Sequence, residues 1–403
     1  MLKISKNIIF IIILIYAIMG GAYMLNLTPG TGDENLFISD LYLIESEGWI
    51  EAIKKNISIP HAVLVYPFSL IFKNYIALRF VNVLLLITLY GYFFFRNKPS
   101  LSFFGYLTFF LGTSKVFFIG TNDALFILGL VIFLNEVFKL TINEPWKPSL
   151  ALCALCISIF TRSMFIVYLP ILLLSVYLII KHKALSGRQL VLPSLIFLAL
   201  IICNVPSIQS NGRLSYDLKS PPQDLNVTWA QRQYLAQMMV NEGQLPNYSH
   251  PSFEETQAYI DTHGEDALPK TTLQGILFNP IMTVKEFFKD FFDICFFGFR
   301  QLGLLLFIPI GYLFFLIYRR KFNLNDVYVP ISLVVMMSIF ALIIISFIEL
   351  RWLASIFVLA VVYCSFMESR KLISNKIFAV NQVVLLLLSC YGIYRILPKI
   401  DLF

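Results

Sequence analysis

Apolar residues run along this chain in long blocks, separated by short links that collect basic residues. A helix needs roughly 20 apolar residues to cross a bilayer. The blocks near 7–25, 75–95, 190–207, 299–318 and 377–396 each match one crossing. Three others, 101–140, 149–180 and 327–367, are too long for one crossing, and polar residues interrupt each near its middle. The interruptions are Asn122-Asp123, Arg162 and Glu349-Leu-Arg351. A charge at mid-bilayer costs about 3 kcal/mol or more, so each long block reads as a helical hairpin with those residues at its turn. The pattern predicts about eleven spans. A β-barrel would show short alternating segments instead.

The basic links set the orientation. Lys3 and Lys6, Arg96 to Lys98, Lys139 and Lys147, Lys181 to Lys183, Arg319 to Lys321, and Arg370 to Lys376 all fall on one side. Positive charge favours the cytoplasmic side, which puts the N-terminus inside, the C-terminus outside and all three hairpin turns outside. The first span reads as uncleaved, since no clear small-x-small cleavage site precedes Asp33.

Two polar stretches remain, both external. Residues 26–60 form an acidic loop containing Asp33, Glu34, Asp40, Glu45, Glu47 and Glu51. Within it 34–55 reads as an interfacial helix, with Leu36, Leu41, Ile44, Trp49 and Ile53 on a rough apolar face. Residues 61–72 are apolar but short, which suits a re-entrant or surface helix. Residues 208–298 form one large loop, with Pro221-Pro222, helices near 228–242 and 252–263, and an amphipathic, aromatic-rich run at 284–298 suited to a membrane surface. Three regions result: 1–207, a membrane module with the loop 26–60; 208–298, the large external loop; and 299–403, the C-terminal spans.

Composition agrees with an all-α polytopic membrane protein. Of 403 residues, 58% are hydrophobic and 14% charged, and Phe occurs 39 times. The net charge of +7 is accounted for by the links and calls for no nucleic acid. The six Cys lie mostly within apolar runs, and Cys153-x-x-Cys156 has no partner pair, so helix packing explains it better than redox or zinc chemistry.

Gly32-Asp33-Glu34 directly after the first span, followed by an interfacial stretch ending at Gly48-Trp49, resembles the GT-C superfamily of membrane glycosyltransferases. It is similar to the lipid-linked-sugar transferases related to aminoarabinose transferases and protein O-mannosyltransferases. Ile59-Pro60-His61-Ala62 resembles the family's Lys-Pro-Pro-Leu segment, with Ile59 where the family has Lys and His61 where it has the second Pro. Ala77-Leu78-Arg79, Asn122-Asp123, Thr161-Arg162 and Glu349-Leu-Arg351-Trp352 resemble further family motifs in the same order.

The resemblance implies a GT-C-like bundle that transfers sugar from a polyprenyl-phosphate donor to a glycan, lipid or protein acceptor, in a bacterial inner membrane with an external site. Asp33 is the expected base, because partial desolvation suits a carboxylate to taking a hydroxyl proton. Asp123 is expected as a second catalytic-site carboxylate that orients the acceptor or the partners of Asp33, or as a cap of its own helix. Arg351 and Arg162 are expected at the lipid phosphate, with Glu34, Arg79, Glu349 and His61 around the substrate and Lys54-Lys55 behind, or as an interfacial anchor. A divalent metal ion, held by His61 with Glu34 or Asp33, stays open. Tyr216, Trp229, Tyr234, Tyr248 and Tyr259 suit either sugar stacking or the large loop's own core. Two other functions compete: a polymerase or ligase of lipid-linked glycans, which favours Arg-rich external loops, and a flippase, which favours internal repeats.

Overall fold

The computed structural model describes residues 6–30, 32–97, 99–216 and 225–399. Lys3, Lys98 and the pair Pro221-Pro222 lie outside the described residues. Among the described residues all regular structure is helical. The chain divides into two compact units.

The first unit comprises Met1–Asp217, Phe299–Leu333 and Arg351–Phe403. Helix α1 (Lys6–Leu25) is the apolar opening run, and α2 (Glu34–Lys54) carries the acidic loop sequence and bends at Gly48, which takes φ 83°. Then come α3 (Ile59–Ser69), started by Pro60, and α4 (Asn74–Asn97). Next in the chain are α5 (Leu101–Ser114), α6 (Asp123–Thr141), α7 (Pro148–Thr161) and α8 (Leu169–Lys181). Helix α9 (Gly187–Asn211) completes the N-terminal half.

The second unit comprises Leu218–Gly298 and Val334–Leu350. Helices α10 (Trp229–Asn241), α11 (Phe253–His263) and α12 (Thr272–Phe278) each start at a capping box: Thr228 with Gln231, Ser252 with Glu255, and Thr271 with Gln274. Each box answers two backbone N–H groups that the first helical turn cannot. Val227, Tyr234, Leu235, Ile260, Leu268 and Ile344 form this unit's core, with Tyr259 packed against it. Tyr234 and Tyr259 are therefore core residues. Arg232 lies over the Phe253 ring at 4.7 Å and donates to the Pro251 carbonyl at 2.6 Å, closing the turn between α10 and α11.

Helix α13 (Pro280–Leu302) leads back to the first unit's α14 (Phe307–Tyr318). Helices α15 (Leu324–Leu342), α16 (Ala354–Ser369) and α17 (Asn375–Ile396) end the chain. Among the described residues, eight helical stretches are long and apolar enough to cross a membrane: Lys6–Leu25, Asn74–Asn97, Asp123–Thr141, Gly187–Asn211, Pro280–Tyr318, Leu324–Leu342, Leu350–Ser369 and Asn375–Lys399. The chain is a multi-pass membrane protein. Helices α5, α7 and α8, with 14, 14 and 13 residues, are shorter. At 1.5 Å per residue they reach about 20 Å, against the roughly 30 Å of a hydrocarbon core. The apolar sequence continues past their ends while the backbone does not. Helix α5 stops at Lys115, which takes a left-handed φ of 58°, and α7 stops at the extended Arg162.

Helix α6 is the hub of the first unit, buried along nearly its whole length and packed on α4, α7, α8 and α16. At its C-terminal end Glu136 is 0% exposed. It accepts from Arg96 Nε at 2.9 Å and Nη2 at 2.8 Å, from the Tyr92 hydroxyl at 2.9 Å and from the Lys147 backbone N–H at 2.6 Å. Four donors surround one carboxylate, which offsets the cost of burying it.

Small residues let α6 approach α7. A methyl group at Gly129 would overlap the Ser158 hydroxyl and come within 2.7 Å of the Ala154 carbonyl. Gly129→Val should therefore destabilise the detergent-solubilised protein by roughly 1–3 kcal/mol through overpacking. At Gly91 a Cβ meets open space, so Gly91→Ala should instead stabilise α4 by about 0.5–1 kcal/mol. Melting temperatures of the two variants moving in opposite directions check the packing.

Candidate functional site

The site is built where helices stop. Hydrogen bonds gather at one place the C-terminal ends of α1 and α7, the segment after α5, and the N-terminal ends of α2, α4, α6, α8 and α16. The connecting backbone there is irregular. Irregular backbone at membrane depth survives only if protein satisfies its polar groups, and here buried side chains do so.

Arg79, on α4, is the principal one. Its Nε and Nη2 each donate to the Glu34 carboxylate at 2.7 Å, a bidentate pair. Its Nη1 donates to the carbonyls of Leu25 at 2.8 Å and Leu27 at 2.9 Å, and Nη2 also reaches that of Thr28 at 3.4 Å. All five guanidinium N–H groups are thus engaged. Glu34 accepts further from the backbone N–H of Gly30 at 3.0 Å and of Gly120 at 3.1 Å. Both side chains are buried. Expected among the substrate contacts, Glu34 and Arg79 instead spend their hydrogen-bonding capacity on each other and on the backbone, joining the α1–α2 loop to the α5–α6 connection.

Around them Asn82 donates to the Ile119 carbonyl and, at 2.8 Å, to that of Thr121. The Thr161 carbonyl, left open where α7 ends, accepts from Ser58 Oγ at 2.8 Å and Asn122 Nδ2 at 3.1 Å. Asn122 stands at the N-cap of α6 but makes no capping bond; its amide serves α7 instead.

On this frame two carboxylates and two guanidiniums alternate. Asp33 stands immediately before α2 without capping it, and its carboxylate pairs with Arg351 Nη2. Arg351 Nη1 donates to Asp123 Oδ2 at 2.9 Å. Arg162 Nη1 pairs with the other oxygen, Asp123 Oδ1. Thr121 Oγ1 also donates to Asp123 Oδ2, at 3.2 Å. Asp123 is the first residue of α6, where the helix dipole favours a negative charge. Its side chain is 3% exposed, whereas Asp33, Arg162 and Arg351 are 20%, 20% and 17% exposed. The chain of charge therefore has a buried carboxylate at its centre and reaches solvent at Asp33 and at both arginines. Arg351 sits in the short 3-10 turn Leu350–Leu353, whose Trp352 carbonyl accepts from the buried Tyr168 hydroxyl.

Other expected site residues lie apart from this cluster. His61 is buried, 3.4 Å from the Asn82 amide oxygen and edge-on to Phe37 at 5.4 Å. Burial holds its pKa down at about 4, with the Asn82 hydrogen bond opposing; it is a neutral imidazole. Glu349 is half-buried in the second unit. Lys54 pairs with Glu51 and Lys55 with Glu47, both on the exposed side of α2. Among the described residues no three of His, Cys, Asp and Glu gather as metal ligands. Glu34 is committed to Arg79 and His61 to Asn82, so these residues with Asp33 do not make a metal centre. Asn82, Ser58, Thr121 and Tyr168 were not singled out in the sequence. Asn82 carried a signal, a polar amide inside an apolar span.

No family model, no curated protein and no solved structure matches this chain.

Two measurements check this frame. Glu34→Gln leaves the buried Arg79 charge uncompensated and should cost about 3–5 kcal/mol, read as a lowered melting temperature at neutral pH. His61 has its folded pKa near 4, below the unfolded value near 6.5. Its neutral form therefore supports the fold fully above about pH 6.5, and that support is lost as pH falls toward 4. Stability should drop between pH 6.5 and 5 in the wild type and less in His61→Gln.

Proposed function

We propose that this protein is a GT-C-type glycosyltransferase that moves a sugar from a polyprenyl-phosphate donor to an acceptor hydroxyl. The observation that carries the reading is the convergence of Asp33, Asp123, Arg162 and Arg351, from four separate chain segments, on one partly exposed cluster. The ordered motif resemblance supplies the reaction class. The basic links support a cytoplasmic N-terminus and an external site, in a bacterial inner membrane. In the eleven-span arrangement α5, α7 and α8 cross together with the irregular segments at their ends.

Asp33 acts as the base. The acceptor oxygen attacks the anomeric carbon and gives its proton to the Asp33 carboxylate. The bond from that carbon to the phosphate oxygen breaks, and its electron pair leaves on the polyprenyl phosphate. Glycoside and polyprenyl phosphate are the products. Arg351 and Arg162 meet the phosphate, since guanidinium pairs bidentately with it and offsets the charge that develops. A carboxylate paired with guanidinium is a weak base. Arg351 therefore has a second task. As it turns to the donor phosphate it releases Asp33, so the base is freed when the donor is in place. Asp123 stays with Arg162 and keeps the arginines oriented.

The test is transfer from radiolabelled polyprenyl-phosphate sugars in membranes. Asp33→Asn should lower transfer about 100-fold or more while donor binding persists, and Arg351→Ala should lower both. Wild-type transfer by Asp33→Asn sinks the base assignment. Translocation of intact lipid-linked sugar, with no polyprenyl phosphate released, sinks the enzyme reading.

A further inference from the structure

Helix α13 is amphipathic with its polarity reversed from that of a water-facing domain. Ile281, Val284, Phe288, Phe292 and Phe296 recur at helical spacing along one face and are 85%, 58%, 68%, 69% and 51% exposed. The opposite face is polar and buried: Thr283, Glu286 and Asp290 are 7%, 1% and 7% exposed. Glu286 accepts from Gln237 Nε2 at 3.0 Å and Asn241 Nδ2 at 2.8 Å, both on α10. The second unit thus turns carboxylates inward and phenylalanines outward. Helix α12 adds to the outer patch with Leu273 and Leu277, 71% and 74% exposed.

A patch of this size does not persist against water. We infer that the outer face of α13 is a membrane anchor, lying in the boundary between lipid headgroups and acyl chains. Two observations favour lipid over a protein partner. Helix α13 runs on in sequence through Gly303–Leu306 into α14 within one apolar stretch, Pro280–Tyr318, whose length and composition suit a bilayer. Lys285, exposed beside the aromatic stripe, suits a cation that reaches headgroups while its stem covers apolar surface; Lys289, also exposed, pairs with Glu286 at 3.2 Å. The anchor holds the second unit at the membrane surface whatever reaction the first unit performs.

The test uses the full chain in phosphatidylcholine vesicles carrying bromine at defined acyl depths. Phe288→Trp and Phe292→Trp add a fluorophore on the proposed lipid face, and Asp261→Trp adds one on exposed α11. After subtraction of the wild-type signal, the emission added at 288 and 292 should lose most of its intensity to shallow bromines, and that added at 261 almost none. Equal, weak quenching at all three positions overturns the proposal. So does a dimer in detergent that Phe288→Glu dissociates, because a second copy of the chain would then cover the face.

Discussion

A guanidinium buried in an apolar bundle must have every N–H answered, and the way Arg79 meets that demand shapes the site. Three of its acceptors are carbonyls of the chain leaving α1, and the other two are the oxygens of Glu34. The same carboxylate holds the backbone at Gly120. One ion pair thus fixes both the segment that presents Asp33 and the segment that presents Asp123. The acidic residues of the charge cluster are placed by this second pair, which spends its own hydrogen-bonding capacity on structure.

The all-helical, multi-pass outline of the fold was legible in the sequence, because lipid imposes a length rule. Polar residues interrupt the apolar blocks at Asn122-Asp123, Arg162 and Glu349-Leu-Arg351, and the helices break there. The starts of α10 and α11 fall within a residue or two of the sequence estimates, where Thr228 with Gln231 and Ser252 with Glu255 form capping boxes. The shortness of α5, α7 and α8 was not legible. Residues 115–122 and 162–168 stay largely apolar while leaving the helix, so hydrophobicity alone reads through them. Carbonyls in or beside those segments are answered by long-range bonds from Asn82 and Ser58, which no local window contains.

The site was legible as a set of charges and illegible as a set of pairs. Asp33, Asp123, Arg162 and Arg351 could be gathered on one face from topology. Which acid meets which base depends on side-chain geometry across 318 positions of sequence separation for Asp33 and Arg351. Glu34 and its neighbour Asp33 are adjacent in sequence yet face opposite tasks, one sealed against Arg79 and the other open to solvent. Adjacent residues at a helix start point about 100° apart, since a turn takes 3.6 residues. That angle sends Glu34 inward and Asp33 toward the surface.

Helix α4 carries a guanidinium–carboxylate pair toward each end, the buried Arg79 with Glu34 and the half-buried Arg96 with the buried Glu136. The two arginines are about 25 Å apart along the axis at 1.5 Å per residue. Arg79 cannot leave Glu34 without stranding a buried guanidinium, and Arg96 cannot leave Glu136 without stranding a buried carboxylate, so α4 works as a ruler of fixed length. In a bilayer thicker or thinner than this ruler the helix cannot adjust by sliding. Adaptation to such a bilayer falls to the surrounding lipids, which stretch or thin.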